Sequence, residues 1–429
     1  MAYSTMWVAV PSVIQWLLCY RTIQTRYAYR SSFMYQPLAD VRILDCTRLL
    51  PYHYCTQLLG DLGAEIIKVE EPIVGDYGRW GDASRSYESP AYLLANRNKK
   101  SLKLNLKHEN GKAIFKKLVP DYDVIIESFR PGVMDRLGLG YEVIKEIKAD
   151  IIYCSTNGFG QTGPLRDKPG HDLNYLAVSG ILGLTGQHTG RPVVPGALFS
   201  DLAGGGLFTA FAILSALMGK ANSDPKDNGG QYIDVCQADV MASFNLLGVA
   251  EHIAAQKGKK PRPVDLRGGS IVYNTYITKD GRFMSLGCNE EKFWRNFLEA
   301  TDRMDLMEFH LSDYREGDQG TEAVKTLMAS KTQQEWLDLL KDVDTCVMPV
   351  LDTGQMLEDE QLRERGVVTY MDDPDRGRLV QLGFPAKFSD QLDTMRSPSP
   401  TFGQHTDEIL GDLGYDENAR AQLKEDGVI

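Results

Sequence analysis

Two short stretches of the chain combine residue types that can move a proton. In the first, His171 and Asp172 follow Gly170. In the second, some thirty residues later, Asp201 precedes a run of three glycines at 204–206. An unperturbed histidine titrates near neutral pH, and an aspartate beside the reacting atoms can act as acid, base or nucleophile. Because glycines let backbone N–H groups approach an oxyanion closely, this combination indicates chemistry at a carbonyl group.

Each candidate also has a purely structural interpretation. His171 fits a general base in a loop, but a surface histidine paired with its neighbour has the same pattern. Asp201 lies in an apolar run, where it needs a partner or has a raised pKa, but it also fits the N-cap of a helix beginning near Gly206. Glu290 and Glu291 fit the first turn of a helix, where acidic residues are favourable. The residues alone leave these alternatives open.

Basic residues are grouped at 96–100 and at Arg130 and Arg136 in an otherwise acidic chain. A guanidinium and the backbone N–H groups of the loop 128–132 could hold a phosphate, and the alternative is ordinary solvated loop charge. The net charge of -11 argues against nucleic acid as a main partner. A local basic cluster remains compatible with an anionic ligand.

Composition places the chain among soluble globular proteins of more than one domain. It has 429 residues, of which 43% are hydrophobic and 24% are charged. The seven cysteines form no CxxC pair and the seven histidines are scattered, so we expect no metal site. The apolar stretch 7–18 is interrupted and too short to cross a bilayer, and we expect no membrane span.

The first 39 residues differ from the rest, since they carry arginines at 21, 26 and 30 and no acidic side chain. This composition resembles a mitochondrial transit segment, and the alternative is an extension unrelated to the remaining chain. The C-terminal residues 426–429 are not an SKL-type peroxisomal address. We therefore expect a mitochondrial or a cytoplasmic protein.

Buried-strand patterns alternate with helical patterns through the first half of the chain. Strands are predicted at 41–45, 64–69, 101–106, 123–127 and 151–154, and helices at 54–62, 111–118 and 141–148. This succession indicates parallel strands with right-handed crossovers, and hence a doubly wound, Rossmann-like α/β domain. The glycine motif GxGxxG does not follow the first strand, so a dinucleotide fingerprint is missing.

The pattern changes in the second half. A long apolar helix is predicted at 207–217, and a strand at 231–235. From about residue 261, strands at 271–277 and 282–286 flank Lys279-Asp280-Gly281, which is a hairpin signal. Further helices are predicted at 291–299, 333–340, 406–413 and 417–423. This succession of a hairpin and short helices indicates a smaller α+β domain and a helical C-terminal segment.

Five motifs, in order, resemble the class III CoA-transferase family, which also contains α-methylacyl-CoA racemases. They are TQLLGDLGAE (56–65), NRNKKS (96–101), FRPG (129–132), NGFGQTGP (157–164) and GQHTDEIL (403–410). The resemblance runs from about residue 40 to the C-terminus.

The resemblance implies an interlocked homodimer with a large Rossmann-like domain built from both chain ends and a smaller α+β domain. The implied boundaries are an extension at 1–39, the large CoA-binding domain at 40–235, linker helices at 236–264, the small domain at 265–350 and a return to the large domain at 351–429. Coenzyme A would enter as part of the substrate, with no tightly bound cofactor.

Two branches of the family differ at the active site. Racemase-type members resemble the segment 170–175, so His171 is implied as one acid/base, Asp201 as the second, and Glu290 as a support for the histidine across the dimer. Transferase-type members use the aspartate matching Asp201 as a nucleophile and commonly lack the histidine. The first hypothesis is therefore an acyl-CoA racemase or epimerase, the alternative is a CoA-transferase, and a third is an inactive CoA-binding homologue.

The resemblance also implies a set of CoA contacts and two departures from the family pattern. The implied contacts are Lys103, Leu104, Asn105, Leu106, Arg130, Arg136, Gly170, Asp172, Asn174 and Tyr175. Glu71 stands where the family usually has an arginine, for which Lys68 or Arg79 would have to compensate. Tyr52-His53 replaces a Gly-Pro pair, which would narrow the acyl or CoA pocket there.

Overall fold

The computed structural model describes residues 35–186, 191–224, 229–259 and 265–429. The predictions for the N-terminal extension fall almost entirely on residues outside these ranges. Among the described residues, six cysteines are free thiols, and five of them are buried.

A six-stranded parallel sheet forms the centre of the fold. Its strands are β1 (Arg42–Cys46), β2 (Glu65–Glu70), β3 (Lys99–Lys103), β4 (Val124–Glu127), β5 (Ile152–Asn157) and β6 (Gln231–Cys236). They lie in the order β3-β2-β1-β4-β5-β6. This is the order of a doubly wound sheet, in which ligands bind at the carboxyl ends of the strands where β1 and β4 meet. The predicted parallel α/β architecture is confirmed.

Helices cover both faces of this sheet because its central strands are apolar on both sides. In the first half these are α1 (Leu50–Asp61), α2 (Pro90–Ala95), α3 (Glu109–Leu118), α4 (Val133–Leu137), α5 (Tyr141–Ile147) and α6 (Asp172–Val178). On one face, Leu44 and Ile125 pack with Phe115 of α3. On the other, Ile43 and Val124 pack against α1.

The third strand is shifted from its predicted position. The alternation of Ser101 to Leu106 predicted a strand there, but β3 starts at Lys99 and ends at Lys103. The reason is that Lys99 is only 3% exposed and pairs in the sheet, whereas Leu104 and Leu106 enter the core after the strand has ended. A lysine in a buried strand hides the strand from a pattern based on hydrophobicity.

The long apolar helix starts earlier than predicted. Helix α7 (Ser200–Ala221) begins with a π-helical segment, Ser200–Phe208, and continues as an α-helix. Asp201 therefore lies in the first turn of this helix, and the interpretation as an N-cap before a helix at Gly206 is wrong. Gly206 is inside the helix, where a Cβ would lie 3.0 Å from the Pro51 carbonyl oxygen of α1. The glycines let α7 approach α1 closely.

Helix α7 is the one helix of the described residues that is long and apolar enough to cross a membrane by length and composition. Core helices of globular proteins pass the same test. Its inner side packs on the sheet through Ala210 and Ile213, whereas Leu207, Phe211 and Met218 are exposed.

A smaller antiparallel sheet follows helices α8 (Gln237–Phe244) and α9 (Leu246–Gln256). It contains β7 (Tyr273–Ile277), β8 (Phe283–Gly287) and β9 (Val347–Pro349) in that order, and β7 and β8 form the predicted hairpin. The helices packed there are α10 (Glu291–Thr301), α11 (Gln319–Met328) and α12 (Gln333–Leu340). Trp294, Phe297 and Trp336 fill a separate core beneath them.

The C-terminal segment returns to the large sheet. It contains α13 (Thr353–Glu358), α14 (Glu360–Glu364), the hairpin β10 (Val368–Asp373) and β11 (Gly377–Leu382), α15 (Thr406–Asp412) and α16 (Glu417–Glu425). Leu410 and Leu423 complete the core that Leu44 and Ile125 begin. The backbone N–H of Asn105 donates to the Val428 carbonyl at 2.8 Å, so the chain end is fixed beside β3.

Candidate active site

The two acidic residues that sequence reasoning placed thirty positions apart meet at the N-terminus of α7. Asp172 is the first residue of α6 and is 7% exposed. Its Oδ1 accepts a hydrogen bond from the backbone N–H of Asp201 at 2.9 Å. Burial, and secondly the Asp172 carboxylate, raise the pKa of Asp201 to about 7. A carboxyl with this pKa can take up and release a proton near neutral pH.

His171 precedes α6, one residue from Asp172, and is exposed. Its backbone N–H donates to Asn174 Oδ1 at 3.0 Å, and its carbonyl accepts from the Asn174 backbone N–H at 2.8 Å. This reciprocal pair fixes the first turn of α6. The structure thus brings the segments carrying His171 and Asp201 together through Asp172.

Tyr175 and Gly170 hold the loop in front of His171. The Tyr175 hydroxyl donates to the Gly170 carbonyl at 2.5 Å, and its ring meets Phe159 edge to face at 5.0 Å. A Cβ on Gly170 would lie 2.6 Å from the Tyr175 ring, and one on Gly158 would lie 2.1 Å from it. Close packing against Tyr175 therefore leaves no room for a side chain at either glycine.

A buried polar group behind Asp201 escaped sequence reasoning. Tyr52, in the first turn of α1, is 7% exposed, and its hydroxyl oxygen accepts from Gln237 Nε2 at 3.0 Å. The Oε1 of Gln237 accepts from Ser200 Oγ at 3.3 Å. These contacts link α1, α7 and α8 and reach Ser200, the residue before Asp201. The only signal in the sequence is the replacement of a small residue by Tyr52.

Glu290 lies in the smaller domain, immediately before α10, and is exposed. Burial, and secondly the Glu290 carboxylate, raise the pKa of Cys346, which lies directly before β9. The single chain thus places Glu290 beside β9, away from the α6–α7 junction. A role at His171 requires a second chain.

Of the four implied CoA contacts at 103–106, one side chain is accessible to solvent, and the other three contact the protein itself. Lys103 is partly exposed, with its ammonium 4.2 Å from the Phe402 ring centroid. Leu104 and Leu106 face the core. The Asn105 side chain donates to the Gly427 carbonyl at 3.1 Å. These three residues can therefore contact a ligand only through their backbone groups or through the exposed atoms of their side chains.

Arg130 and Arg136 are exposed on the loop and helix after β4. Arg130 lines a cavity of about 200 Å³ together with Glu127. Glu127 accepts hydrogen bonds from the Ser155 hydroxyl and from the Phe129 backbone N–H. Burial raises the pKa of Glu127 to about 7, which sequence reasoning missed because Glu127 was only the last residue of a strand.

The two basic residues suggested as substitutes for the missing arginine cannot serve. Lys68 is fully buried, and its Nζ contacts Asp76 Oδ2 at 2.9 Å. Arg79 is also buried and pairs with Glu70 at 2.6 Å. Both charges are already neutralised inside the protein. Glu71 itself holds the turn after β2 by accepting the Val74 N–H at 2.7 Å.

Two further expectations about basic and aromatic residues are corrected. His53 does not narrow a ligand pocket, because it is 1% exposed and contacts Asp76 Oδ2 at 2.7 Å. Within the group at 96–100, Arg97 is 1% exposed and pairs with Asp61, so it is neither a phosphate ligand nor solvated loop charge. Lys99 is also buried, which lowers its pKa to about 7. Among the described residues, no cluster of three or more side chains could hold a metal ion.

Comparison with known proteins identifies relatives over almost the whole chain. The model of CoA-transferase family III matches residues 38–406. Succinyl-CoA:glutarate CoA-transferase of Homo sapiens is 35% identical over 401 residues, which cover 92% of this chain and 90% of that protein. Alpha-methylacyl-CoA racemase of Homo sapiens is 31% identical over 399 residues, covering 91% and 97%. A CaiB/BaiF family protein from Brucella suis has a crystal structure with a TM-score of 0.74 and 28% identity, covering 88% and 99%.

Proposed function

The chain belongs to CoA-transferase family III, and from this premise we propose that it racemises or epimerises acyl-CoA thioesters at the α-carbon. The observation that carries the proposal is the meeting of the His171 and Asp201 segments through Asp172. A racemase needs one acid/base group on each side of the reacting carbon. An exposed imidazole and a carboxyl with a pKa of about 7 are suited to these two roles.

The proposed reaction transfers one proton in each half. A thioester acidifies its α C–H bond because the resulting enolate places charge on the carbonyl oxygen. One group, Asp201 or His171, takes the α-proton while the C–H electron pair forms a carbon–carbon double bond. The other group then delivers a proton to the opposite face as the carbonyl re-forms. Each positioned acid or base contributes roughly 10²–10⁴-fold to the rate.

Coenzyme A is proposed to lie along the carboxyl edge of the large sheet. Lys103, Arg130 and Arg136 are accessible basic side chains at this edge, and a guanidinium binds phosphate oxygens well. The segment 170–175 would then meet the thioester end. The structural uses of Leu104, Asn105 and Leu106 limit them to supporting this path.

A homodimer is proposed to complete the site. Apolar side chains of α7 and of the segment from α8 to α9 are exposed, including Phe211, Phe244 and Leu246. A concentration of large exposed apolar side chains is typical of protein–protein interfaces. An interlocked partner would cover these side chains and could bring its Glu290 to His171.

Transfer of CoA to a free acid is the second candidate, and it is favoured by the similarity to the human succinyl-CoA:glutarate enzyme. In this reaction the Asp201 carboxylate attacks the thioester carbonyl and expels the CoA thiolate, which leaves a mixed anhydride on Asp201. The acceptor carboxylate then attacks the Asp201 carbonyl of this anhydride and releases the donor acid as its carboxylate. The CoA thiolate attacks the acceptor acyl carbonyl of the second anhydride, which gives the acceptor's CoA thioester and the free Asp201 carboxylate. Asp201 suits both chemistries, whereas His171 is needed only for proton return.

One experiment separates the candidates. The protein is incubated in deuterated water with a single enantiomer of a 2-methylacyl-CoA, with and without a free carboxylic acid. We expect α-deuteration and loss of optical purity without the acid. Transfer of CoA to the acid without α-deuteration, together with an activated Asp201 acyl group that hydroxylamine converts to a hydroxamate, would establish the transferase instead. Neither activity across a panel of thioesters would indicate a CoA-binding homologue without catalysis.

Two variants control this experiment. His171→Ala is expected to abolish racemisation, because one face loses its acid/base group. His310→Ala removes a histidine of the smaller domain, remote from the α6–α7 junction, and is expected to leave the rate unchanged. Equal activity of His171→Ala and the natural protein would refute the two-group mechanism.

A further inference from the structure

Tyr52 lies at the part of the sheet where a ligand is expected. After β1 the chain passes through Leu49 into α1. From β1 the next strands in sequence are added on one side of the sheet, and from β4 they are added on the other side, so a crevice forms between β1 and β4. Such a crevice is the usual ligand site of doubly wound sheets. Tyr52 occupies the first turn of α1, facing α7 and α8 rather than the outer surface.

The backbone leading to Tyr52 is held in an unusual conformation. Leu49 has φ 72° and ψ 166°, a region that side chains other than glycine rarely adopt. Its N–H donates to Asp76 Oδ1 at 3.1 Å, and Asp76 is itself anchored by Lys68 and His53. Strain of this kind persists only where the surroundings impose it, and it is concentrated at functional sites. The buried charges around Asp76 therefore fix where α1 begins and where Tyr52 lies.

The hydroxyl hydrogen of Tyr52 has no acceptor among the described residues. Gln237 Nε2 donates to the phenol oxygen, and the Ser200 hydroxyl donates to Gln237 Oε1, which fixes the orientation of the amide. The phenol thus accepts in this contact, and its own hydrogen makes no hydrogen bond to any described residue. In contrast, the hydroxyl of Tyr175 is already used on the Gly170 carbonyl.

Two hydrogen bonds connect the Tyr52 hydroxyl through Gln237 to Ser200, the residue before Asp201 at the proposed reaction centre. Burial raises the pKa of Tyr52, and the hydrogen bond from Gln237 lowers it by a smaller amount. Three neighbouring groups, Tyr175, Asp201 and Glu127, raise it further, so the phenol keeps its proton. A neutral phenol that cannot ionise acts only as a donor towards a developing oxyanion. Both Asp201 and Tyr175 belong to the α6–α7 junction where the thioester is proposed to lie.

We propose that the Tyr52 hydroxyl donates a hydrogen bond to the thioester carbonyl oxygen and stabilises the enolate formed during α-proton transfer. The inference rests on the proposed racemase function. When Asp201 or His171 takes the α-proton, the carbonyl π electrons move onto oxygen, and Tyr52 binds the resulting charge without giving up its proton. When the second group returns a proton to carbon, the electrons move back and the hydrogen bond weakens. Tyr52 is thus a catalytic residue that the family motifs do not supply.

The test measures α-hydrogen exchange of a 2-methylacyl-CoA in deuterated water. Tyr52→Phe is expected to lower kcat by roughly 10²–10³-fold, as loss of one oxyanion donor does elsewhere, with little change in KM. A trifluorotyrosine at position 52 keeps both the acceptor for Gln237 and a donor for the substrate, and it is expected to retain at least a tenth of the rate. Tyr54→Phe on the same helix is the matched control and is expected to leave the rate unchanged.

The outcomes distinguish this inference from the proposed function. If the natural protein exchanges the α-hydrogen and His171→Ala does not, but Tyr52→Phe keeps full kcat, the role of Tyr52 is refuted while the racemase proposal stands. If the natural protein catalyses no exchange, the racemase proposal fails first. A trifluorotyrosine protein as slow as Tyr52→Phe would also refute the donor role, since both replacements would then act by disturbing the packing.

Discussion

Two effects raise the pKa of Asp201, and only one of them comes from a neighbouring charge. Partial burial removes water from the carboxylate, and Asp172 adds a second negative charge at the same junction. Both effects favour the protonated form and raise the pKa of Asp201 to about 7. Since Asp172 also accepts the Asp201 backbone N–H, one residue both positions the proposed catalytic carboxyl and raises its pKa.

At this scale we predict that Asp172→Asn moves the acid limb of the pH–rate profile. In the direction where Asp201 takes the proton, the carboxylate form is active, so the rate is lost as pH falls through the pKa. Asparagine keeps an oxygen that can accept the Asp201 N–H but removes the charge, so the limb should shift to lower pH by about one unit. Initial rates of racemisation between pH 5 and 9 measure the shift.

Asp167→Asn is the control for this experiment, because it removes a negative charge from an exposed loop near the same segment. It should leave the limb in place. An unchanged limb in Asp172→Asn, with normal substrate binding, would show that the Asp172 charge does not act on the titrating group.

At the scale of elements, the close approach of α7 to α1 positions Asp201. A Cβ at Gly205 would lie 2.7 Å from Gln237 Nε2 and 2.8 Å from Pro51 Cβ. We predict that Gly205→Ala lowers the free energy of unfolding by about 1–3 kcal/mol through overpacking and reduces kcat by displacing the start of α7. Gly219→Ala, on the same helix with open space around it, should instead stabilise the protein by about 0.5–1 kcal/mol. Thermal unfolding and racemisation rates of both variants measure these effects, and equal behaviour would contradict the packing argument.

A buried ion pair links the end of α1 to the segment before β3. Arg97 Nε donates to Asp61 Oδ1 at 2.8 Å, and both side chains are at most 1% exposed. We predict that Arg97→Met costs about 3–5 kcal/mol, because Asp61 is left as an uncompensated buried charge. The double variant Arg97→Met/Asp61→Leu should recover most of this loss in urea unfolding. A double variant as unstable as the single one would show that packing rather than charge is responsible.

At the scale of the whole molecule, one chain carries His171 and Asp201 beside the large sheet but Glu290 beside the three-stranded sheet. The proposed dimer predicts complementation. When His171→Ala and Glu290→Gln chains are co-expressed with different affinity tags, the mixed dimer contains one site with both natural residues. We expect activity in the doubly purified dimer and little in either homodimer.

Mixing the two purified homodimers should not restore activity, because interlocked chains cannot exchange without unfolding. Light scattering should give twice the chain mass of 47.9 kDa at every dilution. Full activity of the Glu290→Gln homodimer, or a monomer in solution, would refute the shared site.

Local patterns in the sequence predicted the strands and turns that depend on residues close together in the chain. The buried run at β4 and the turn signal between β7 and β8 predicted strands that the structure contains. The family motifs predicted the family and, with it, the roles proposed for His171 and Asp201. Lys99 misled the strand assignment because its partners, the His53 carbonyl and Asn96, come from a separate helix and loop.

Only the tertiary structure decided the properties that depend on distant neighbours. The pKa of Asp201 depends on a carboxylate 29 residues away in sequence, and the burial of Lys68 and Arg79 excludes them as phosphate ligands. The orientation of the Tyr52 hydroxyl depends on Gln237, 185 residues further along the chain. Electrostatic and hydrogen-bond energies depend on separation in space, whereas hydrophobic periodicity is a property of adjacent residues, so folding alone brings these partners within reach of one another.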